Sequence, residues 1–575
     1  MNIGTPSRSR GQWFGRLINR IESARPSDRF ILRSLFFAAV GFFLWGIFLY
    51  NQAFVVSTPV PGGTVVEGVV GIPRFVNPVL AVTRADQDMS ALLFSGLMKI
   101  NTEGILIPDL AESITRSDDG KIYNIIMRRD NLFHDGTPLT ARDVAFTIGL
   151  IQNPDLKSPV RGNWAGVTVE EISEYELNIV LDEAYTPFIE NFTVGIIPRH
   201  IWSELPLEQI PFSQRNTEPI GSGPFSLKKV VRNDAGLIEN YELERAESDV
   251  KLETLTIRFY QNEDDLTQAY TEGKLTSTTN LRAADIGSMV DTTKFNIIGK
   301  PLPRVFALFF NQNKSVALRD AAVREALDIA IDRNSLVDKV LSGYGVATDT
   351  PLPPTNTDSQ LPARDIDVVA ETSRILTRAG WQKNQNGLWE KRIDGNAVTL
   401  AFTVRTAHTD LLADTAGSVI EAWRAIGIQV DIEKYEQSDL LQAVIRPRDF
   451  EILLFGLDMN RTVDLYPFWH SSQREDPGLN IAQYANIEVD NLLADARTAT
   501  SSNDRDAKAV TAMNIIKNER PALFLFVPSL PYVVHKDVST APMEGLSKPH
   551  ERFMNIESWF VAREDRWPIF NNSND

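Results

Sequence analysis

The sequence predicts an α/β fold of more than one lobe, preceded by a single membrane-crossing helix. Three observations carry this. The chain has 575 residues, too many for one hydrophobic core, so two to four domains or lobes are expected. From about Pro301 onward, amphipathic helical segments alternate with short apolar strands, the pattern of an α/β lobe. Between Leu35 and Tyr50 every residue is apolar, Gly or Tyr.

Composition removes several function classes. Hydrophobic content of 43% and charged content of 23% match a folded protein and exclude wholesale disorder. The net charge of −17 argues against a nucleic-acid partner, since phosphate binding needs a basic surface. There are no cysteines, which excludes disulfides, thiolate metal sites, a Cys nucleophile and a lipidated N-terminal Cys together.

The N-terminal 33 residues hold seven Arg against Glu22 and Asp28, a local net of +5 in a chain of −17. Trp13, Phe14, Leu17, Ile18 and Ile21 share one helical face, as in a helix lying on an anionic membrane surface. The span from Leu35 to Val56, broken only by the polar Asn51-Gln52, has 22 residues, enough to cross a hydrocarbon layer roughly 30 Å thick. The basic flank keeps residues 1–34 cytoplasmic and sends the chain after 57 outside. A cleaved signal peptide is the competing reading. The length of the run and the lack of a small-x-small site before Pro59 favour an uncleaved anchor over 35–56. Residues 57–61 read as a linker rich in turn formers.

Thr64 to Gly71 reads as the first strand of the soluble part, and Asp86 to Leu97 has helical spacing. Tyr123 to Arg128 and Leu177 to Leu181 alternate like strands. Thr140 is a plausible N-cap for a helix that follows it. Pro219 to Phe225 is a loop dense in Gly and Pro. Alternating segments follow at Glu239–Leu243 and Leu255–Phe259. Val305 to Phe310 is a strand, and a strong amphipathic helix is expected from about Arg319 to Leu341. Further helices are expected at Thr372–Ala379, Ala413–Ile426, Val489–Ala499 and Asp504–Glu519. Strands are expected at Ile428–Ile432, Ile452–Phe455 and Ala522–Val527, the last followed by a loop-rich tail.

Several of these segments together resemble the family-5 extracellular solute-binding proteins, the oligopeptide-, dipeptide- and nickel-binding components of ABC importers. Met127 to Val144, MRRDNLFHDGTPLTARDV, is similar to a long family run almost residue for residue. Gly221-Ser222-Gly223-Pro224, Asn311 with Val323-Arg324-Glu325-Ala326-Leu327 and Ala330-Ile331-Asp332-Arg333, and Ala379-Gly380-Trp381 follow in the family's order. The resemblance spans about residues 62–540. It implies a two-lobed periplasmic-binding-protein-like fold with an extra inserted domain. Lobe I would comprise residues 62–97, 218–302 and 522–575, the inserted domain 98–217, and lobe II 303–521. In this family the His134-Asp135-Gly136 run is a structural turn, and it is read as one here.

The resemblance also implies a ligand site. Peptides would lie extended in the cleft and pair their backbone with strands of both lobes, Val69, Val70 and Gly71 on one side and Phe455, Gly456 and Leu457 on the other. Asp458, at the end of the second strand, would hold the peptide's ammonium group, with Asp464 as its alternative because the spacing after Asp458 is longer than in relatives. Arg405 would take the peptide carboxylate bidentately. Tyr466, Trp469 and Trp164 are candidate pocket walls, and Asn480 is a further candidate near the cleft.

The expected function is therefore capture of extracytoplasmic peptides for delivery to a permease and its ATPase, by a monomer anchored in the cell membrane. No reaction, cofactor or resident metal is expected. The same fold carrying a nickel chelate, haem or sugar is the alternative cargo, although the six His are scattered and only His470 lies near the cleft. A ligand sensor without transport is a further alternative. A secreted hydrolase finds no support: G-x-S-x-G, HExxH and P-loop motifs are all absent.

Overall fold

The computed structural model describes residues 25–54, 56–354, 360–459, 461, 464–499 and 501–566. The amphipathic segment expected at Trp13–Ile21 lies outside them. The described chain forms two units, one of residues up to Val60 together with those from Ala562 onward, the other Pro61–Val561.

In the first unit, helix α1 (Pro26–Phe54) contains a 25-residue span, Pro26–Tyr50, long and apolar enough to cross a membrane. It begins earlier than the apolar run because Asp28, in its first turn, favours the positive end of the helix dipole. Strand β1 (Val56–Pro59) follows and pairs antiparallel with the last described strand, Arg563–Arg566. The expected linker is therefore partly a ribbon. The partner comes from the far end of the chain, so no local pattern announces it.

The second unit is built on one long mixed sheet. Strand β2 (Thr64–Val70) leads to helix α2 (Arg84–Leu93), which closes in a capping box between Thr83 and Asp86. The other Asp86 oxygen accepts from the Arg74 and Phe75 N–H groups at 2.7 and 2.8 Å. The helix stops at Leu93, short of the expected Leu97. Beyond it Gly96 lies so close to the Phe192 and Thr193 backbone that an added Cβ would sit 2.7 Å from the Phe192 carbonyl. Strands Ala111–Arg116, Ile122–Met127, Glu176–Leu181 and Val167–Ser173 then make a separate four-stranded antiparallel sheet, covered by helix α3 (Ala141–Gln152).

His134-Asp135-Gly136 is a tight turn at the base of this sheet, with Gly136 at φ +84°. The Gly221 N–H donates to His134 Nδ1 at 3.3 Å, and His134 Nε2 lies 3.0 Å from the Gly223 carbonyl. The imidazole therefore carries its proton on Nε2 and donates it to Gly223, and burial lowers its pKa. Gly221 and Gly223 are obligatory, because a Cβ on either would strike the Leu93 backbone. Replacing His134 with Ala is expected to cost about 2 kcal/mol, since it strands a carbonyl and an N–H in a tight contact. Urea denaturation reads this directly, and a change near zero would show that water takes over both bonds.

The main sheet continues with Phe225–Arg232, Ile238–Arg245, β3 (Thr254–Tyr260), the two-residue β4 (Ser277–Thr278) and β5 (Phe295–Pro301). After it come β6 (Arg304–Phe310), β7 (Ala401–Ala407), Gln429–Tyr435, β8 (Ile452–Asp458) and β9 (Ala522–His535). The expected helix over Arg319–Leu341 is two helices, Ala321–Ile329 and Arg333–Leu341. Asp332 breaks it by capping the second helix, accepting from the Ser335 N–H at 3.2 Å.

β9 is one strand of 14 residues, although Pro528 and Pro531 argue for an end at Val527. Its first half pairs with β6 and its second half with β5 and β4. Pro528 stands where the strand changes partners, so its missing N–H costs no ladder bond there. Two cores lie on either side of this crossing. One takes residues from Val305 to Val527, the other residues from Val65 to Phe259 with Tyr532 to Trp559.

Candidate ligand-binding cleft

Strand register decides which ends face each other. β4 runs antiparallel to β9, so passing from Ser277 to Thr278 moves from Val534 to Val533, toward Pro528. β2 is parallel to β4 and points the same way. On the other half, β6 pairs Phe306 with Phe526, and β8 pairs Asp458 with Arg304. The Asp458 end of β8 thus also points at the crossing. The carboxyl ends of β2, β4 and β8 converge from opposite halves, the position where open α/β sheets place their ligands.

β8 pairs with β6 along its whole length, but with β7 only at Ile452 and Leu453. Phe455, Gly456 and Leu457 therefore have a strand on one flank and none on the other among the described residues. Gly456 is required for this strand to lie flat, since a Cβ would come within 2.9 Å of the Phe306 ring. Opposite, the Gly71 N–H donates to the Tyr260 carbonyl at 2.8 Å, and Val70 donates to Asn280 Oδ1 at 3.4 Å. Gly71 has φ +101° and open space where a Cβ would sit. Val69 is fully buried, so its side chain belongs to the core and only its backbone is near the cleft.

Asp458 is 69% exposed and bound by Nε and Nη2 of Arg304, its cross-strand neighbour, with Nη2 to Oδ2 at 2.7 Å. It is a paired carboxylate, although exposed pairs of this kind are weak and exchange readily. Asp464 is more enclosed, at 9%. It accepts the Tyr466 N–H at 3.0 Å and Arg497 Nε at 2.8 Å. The Arg497 guanidinium lies between two rings, 4.2 Å from Tyr466 and 5.0 Å from Tyr185. Burial and the nearby Asp464 charge push the Tyr185 phenol up to about 12.

Tyr466, Arg497 and Tyr185 line a cavity of about 840 Å³ together with Phe188, Glu190 and Glu551. Arg461 closes one side of it. Its guanidinium donates to the carbonyls of Gly104 (3.0 Å) and Gly545, and to Glu551 at 2.6 Å, while its N–H donates to Glu190 at 3.1 Å. One side chain from the β8 end thus grips both the Gly104 turn, ahead of the four-stranded sheet, and the C-terminal Gly545–Glu551 segment. Sequence reasoning missed Tyr185, Glu190, Arg461, Arg497 and Glu551.

Other expected site residues lie elsewhere. Trp469 is 1% exposed and packs against Phe309, Tyr484 and Phe524 in the core, so it is no pocket wall. Asn480 is fully buried and bonds the His470 and Tyr484 backbone, shaping the loop behind the site. Arg405 is held by Glu433 at 2.8 Å and Asp449 at 3.0 Å, so a carboxylate would have to displace both. Trp164 is buried, packs edge-on against Phe188 at 5.3 Å, and lines a neighbouring pocket that shares Asn163, Glu190 and Asn191 with this cavity. His470 stacks on Tyr466 at 4.0 Å.

A family model for the bacterial extracellular solute-binding proteins, family 5, matches residues 106–476, more than half of the chain. The chain belongs to this family. Its members are binding proteins, not enzymes. This family-5 protein is 27% identical to the oligopeptide-binding protein AppA of Bacillus subtilis over 518 residues, 88% of this chain and 93% of that one. The solved structure of that protein in complex with a nonapeptide matches with a TM-score of 0.65, covering 88% of this chain and 100% of that chain. The nickel-binding periplasmic protein of Escherichia coli is 27% identical over 398 residues, 65% of this chain and 70% of that one. NikZ of Campylobacter jejuni, in complex with Ni(L-His), shares the fold with a TM-score of 0.65 at 24% identity, covering 86% of this chain and 99% of that chain.

Proposed function

We propose that this chain is the substrate-binding component of an ABC importer and captures extracytoplasmic peptides in the cleft. The observation that carries the reading is the open flank of β8 at Phe455–Leu457, set across from the end of β2, which suits backbone pairing with an extended peptide. The likeness to a relative solved with a nonapeptide supports it. Asp458 holds the peptide ammonium by exchanging its exposed partner Arg304, with Asp464 as the alternative anchor. Val69, Val70 and Gly71 form the facing backbone wall, where the Asn280 side chain on the Val70 N–H would yield to a ligand, and Tyr466 supplies an aromatic wall. The helix Pro26–Tyr50 keeps the protein in the cell membrane as a single-pass monomer beside its permease and ATPase, and raises its local concentration there.

Calorimetry with peptides bearing free and acetylated N-termini tests the anchor. Asp458→Ala is expected to weaken free-terminus peptides at least tenfold and to leave acetylated ones unchanged. Equal affinity of the intact protein for both forms would remove the ammonium pair from the reading. Mass spectrometry of ligand released from protein purified without denaturation tests the cargo, and a nickel chelate found there would replace peptide.

A further inference from the structure

Arg84 is the first residue of α2 and lies at the cleft face of the β2–β4 half. Its Nη2 donates to the Thr279 hydroxyl, and Thr279 directly follows β4 and precedes Asn280, which binds the Val70 N–H. By the register described above, these residues stand at the carboxyl ends of the parallel strands, facing β8.

The guanidinium is poorly satisfied. Its Nε is enclosed and has no hydrogen-bond partner. Among the described residues no carboxylate lies within ion-pair distance of it, although Asp88 and Glu67 are near. Arg552 binds Asp88 Oδ2 at 2.7 Å and Glu67 Oε1 at 3.0 Å, so the two guanidinium charges balance the two carboxylates but only Arg552 touches them. Burial, against the weaker pull of Asp88, draws the Arg84 pKa down to about 10. A cation at the first position of a helix also opposes the helix dipole. Neither burial nor the dipole favours Arg here, whereas a guanidinium with an unmet donor and no carboxylate in contact among the described residues is well suited to an arriving anion.

We propose that Arg84 is a ligand-binding residue that takes a carboxylate of the bound ligand, across the cleft from the ammonium anchor. This rests on the peptide reading above, and it assigns the carboxylate to Arg84 and not to Arg405, whose charge is already matched by Glu433 and Asp449. A planar fork of donors matches a carboxylate bidentately, and a neutral amide in its place leaves the charge unmet.

The test is calorimetry on the full chain with one peptide as its free acid, as its C-terminal amide, and as the amide carrying a Glu side chain. Arg84→Gln is expected to weaken the free acid at least tenfold and to leave the plain amide unchanged. A loss confined to the Glu-bearing amide would assign the contact to a side-chain carboxylate and still support Arg84. Equal losses on all three peptides, or none, would overturn it. Arg84→Lys guards against misfolding of the Gln variant, and is expected to retain part of the preference for acid over amide. Should no peptide bind the intact protein, the cargo reading fails separately. Arg84 is then judged by the thermal shift from succinate against succinamide: a succinate shift lost in Arg84→Gln supports it, and no difference overturns it.

Discussion

Arg552→Met is expected to destabilise the protein by roughly 3–5 kcal/mol, the cost of leaving buried charges without their partner. Arg552, Glu67 and Asp88 are all fully buried. The guanidinium forks onto Asp88 through Nη1 and Nη2 at 2.8 and 2.7 Å, while Nε and the shared Nη2 donate to Glu67 Oε1 at 3.2 and 3.0 Å. Burial opposes the Arg552 charge, but Asp88 and Glu67 outweigh it and raise its pKa. The second Glu67 oxygen accepts from the Tyr532 hydroxyl at 2.9 Å, so the network joins β2, α2, β9 and the C-terminal segment. Glu67 lies two residues before Val69, which links this network to the placement of the cleft backbone. Arg552→Lys is expected to recover only part of the loss, since one ammonium cannot fork onto two carboxylates. Denaturant unfolding is the measurement. A loss under about 1 kcal/mol for Arg552→Met would mean the two carboxylates take up protons at little cost. Changing all three groups together to Met, Gln and Asn is expected to be milder than Arg552→Met alone, because no charge is then stranded.

Much of the fold was legible because its signals are local. The Gly-rich loop at Gly221–Pro224 and the His134-Asp135-Gly136 turn each stand out in the sequence, and the structure binds one to the other. β8 was legible as a short apolar run ending in Asp458. Its partner Arg304 was not, because cross-strand register depends on the whole sheet. β9 was cut short at Val527 because proline reads as a stop, and only the exchange of partner strands explains why it is none. Trp469 looked like a pocket wall for want of any sign of which side of its short helix faces the core. The cavity residues Tyr185, Arg461, Arg497 and Glu551 come from four separate stretches, with no spacing to connect them. A cation with an unmet donor, such as Arg84, is also invisible in sequence. Its lack of a contact ion pair among the described residues follows from where Asp88 and Glu67 turn, toward Arg552.

Arg461→Ala is expected to lower ligand affinity at least tenfold and to make the unliganded protein more extended in solution scattering. Arg461 and Glu551 are 13% and 7% exposed, enclosed enough that losing one strands the other at a cost on the order of 3 kcal/mol. That cost falls on the arrangement in which the β8 end meets Glu551, and not on either half alone, so it shifts the population away from the gripped state. Apparent affinity then falls in proportion to the fraction still competent to bind. The contact also carries a pH signature. Burial disfavours the Glu551 charge, but Arg461, then His550 and Ser547, hold its carboxyl below the usual value. Burial draws His550 down to about 4, with Glu551 and Asp88 favouring its charge and Lys548 and Arg552 opposing it. Both groups bind protons less readily in the folded state than in the unfolded one, so both contributions are lost as pH falls. For His550 the loss begins below about 6.5 and continues toward 4, whereas for Glu551 it begins only below about 4.5. His550→Gln is therefore expected to flatten the stability profile between pH 6.5 and 4, and Glu551→Gln to flatten it below that. If Arg461→Ala leaves affinity and scattering unchanged, the bonds to Gly104, Gly545 and Glu551 are incidental to binding, and the two halves are held together by the crossing strands alone.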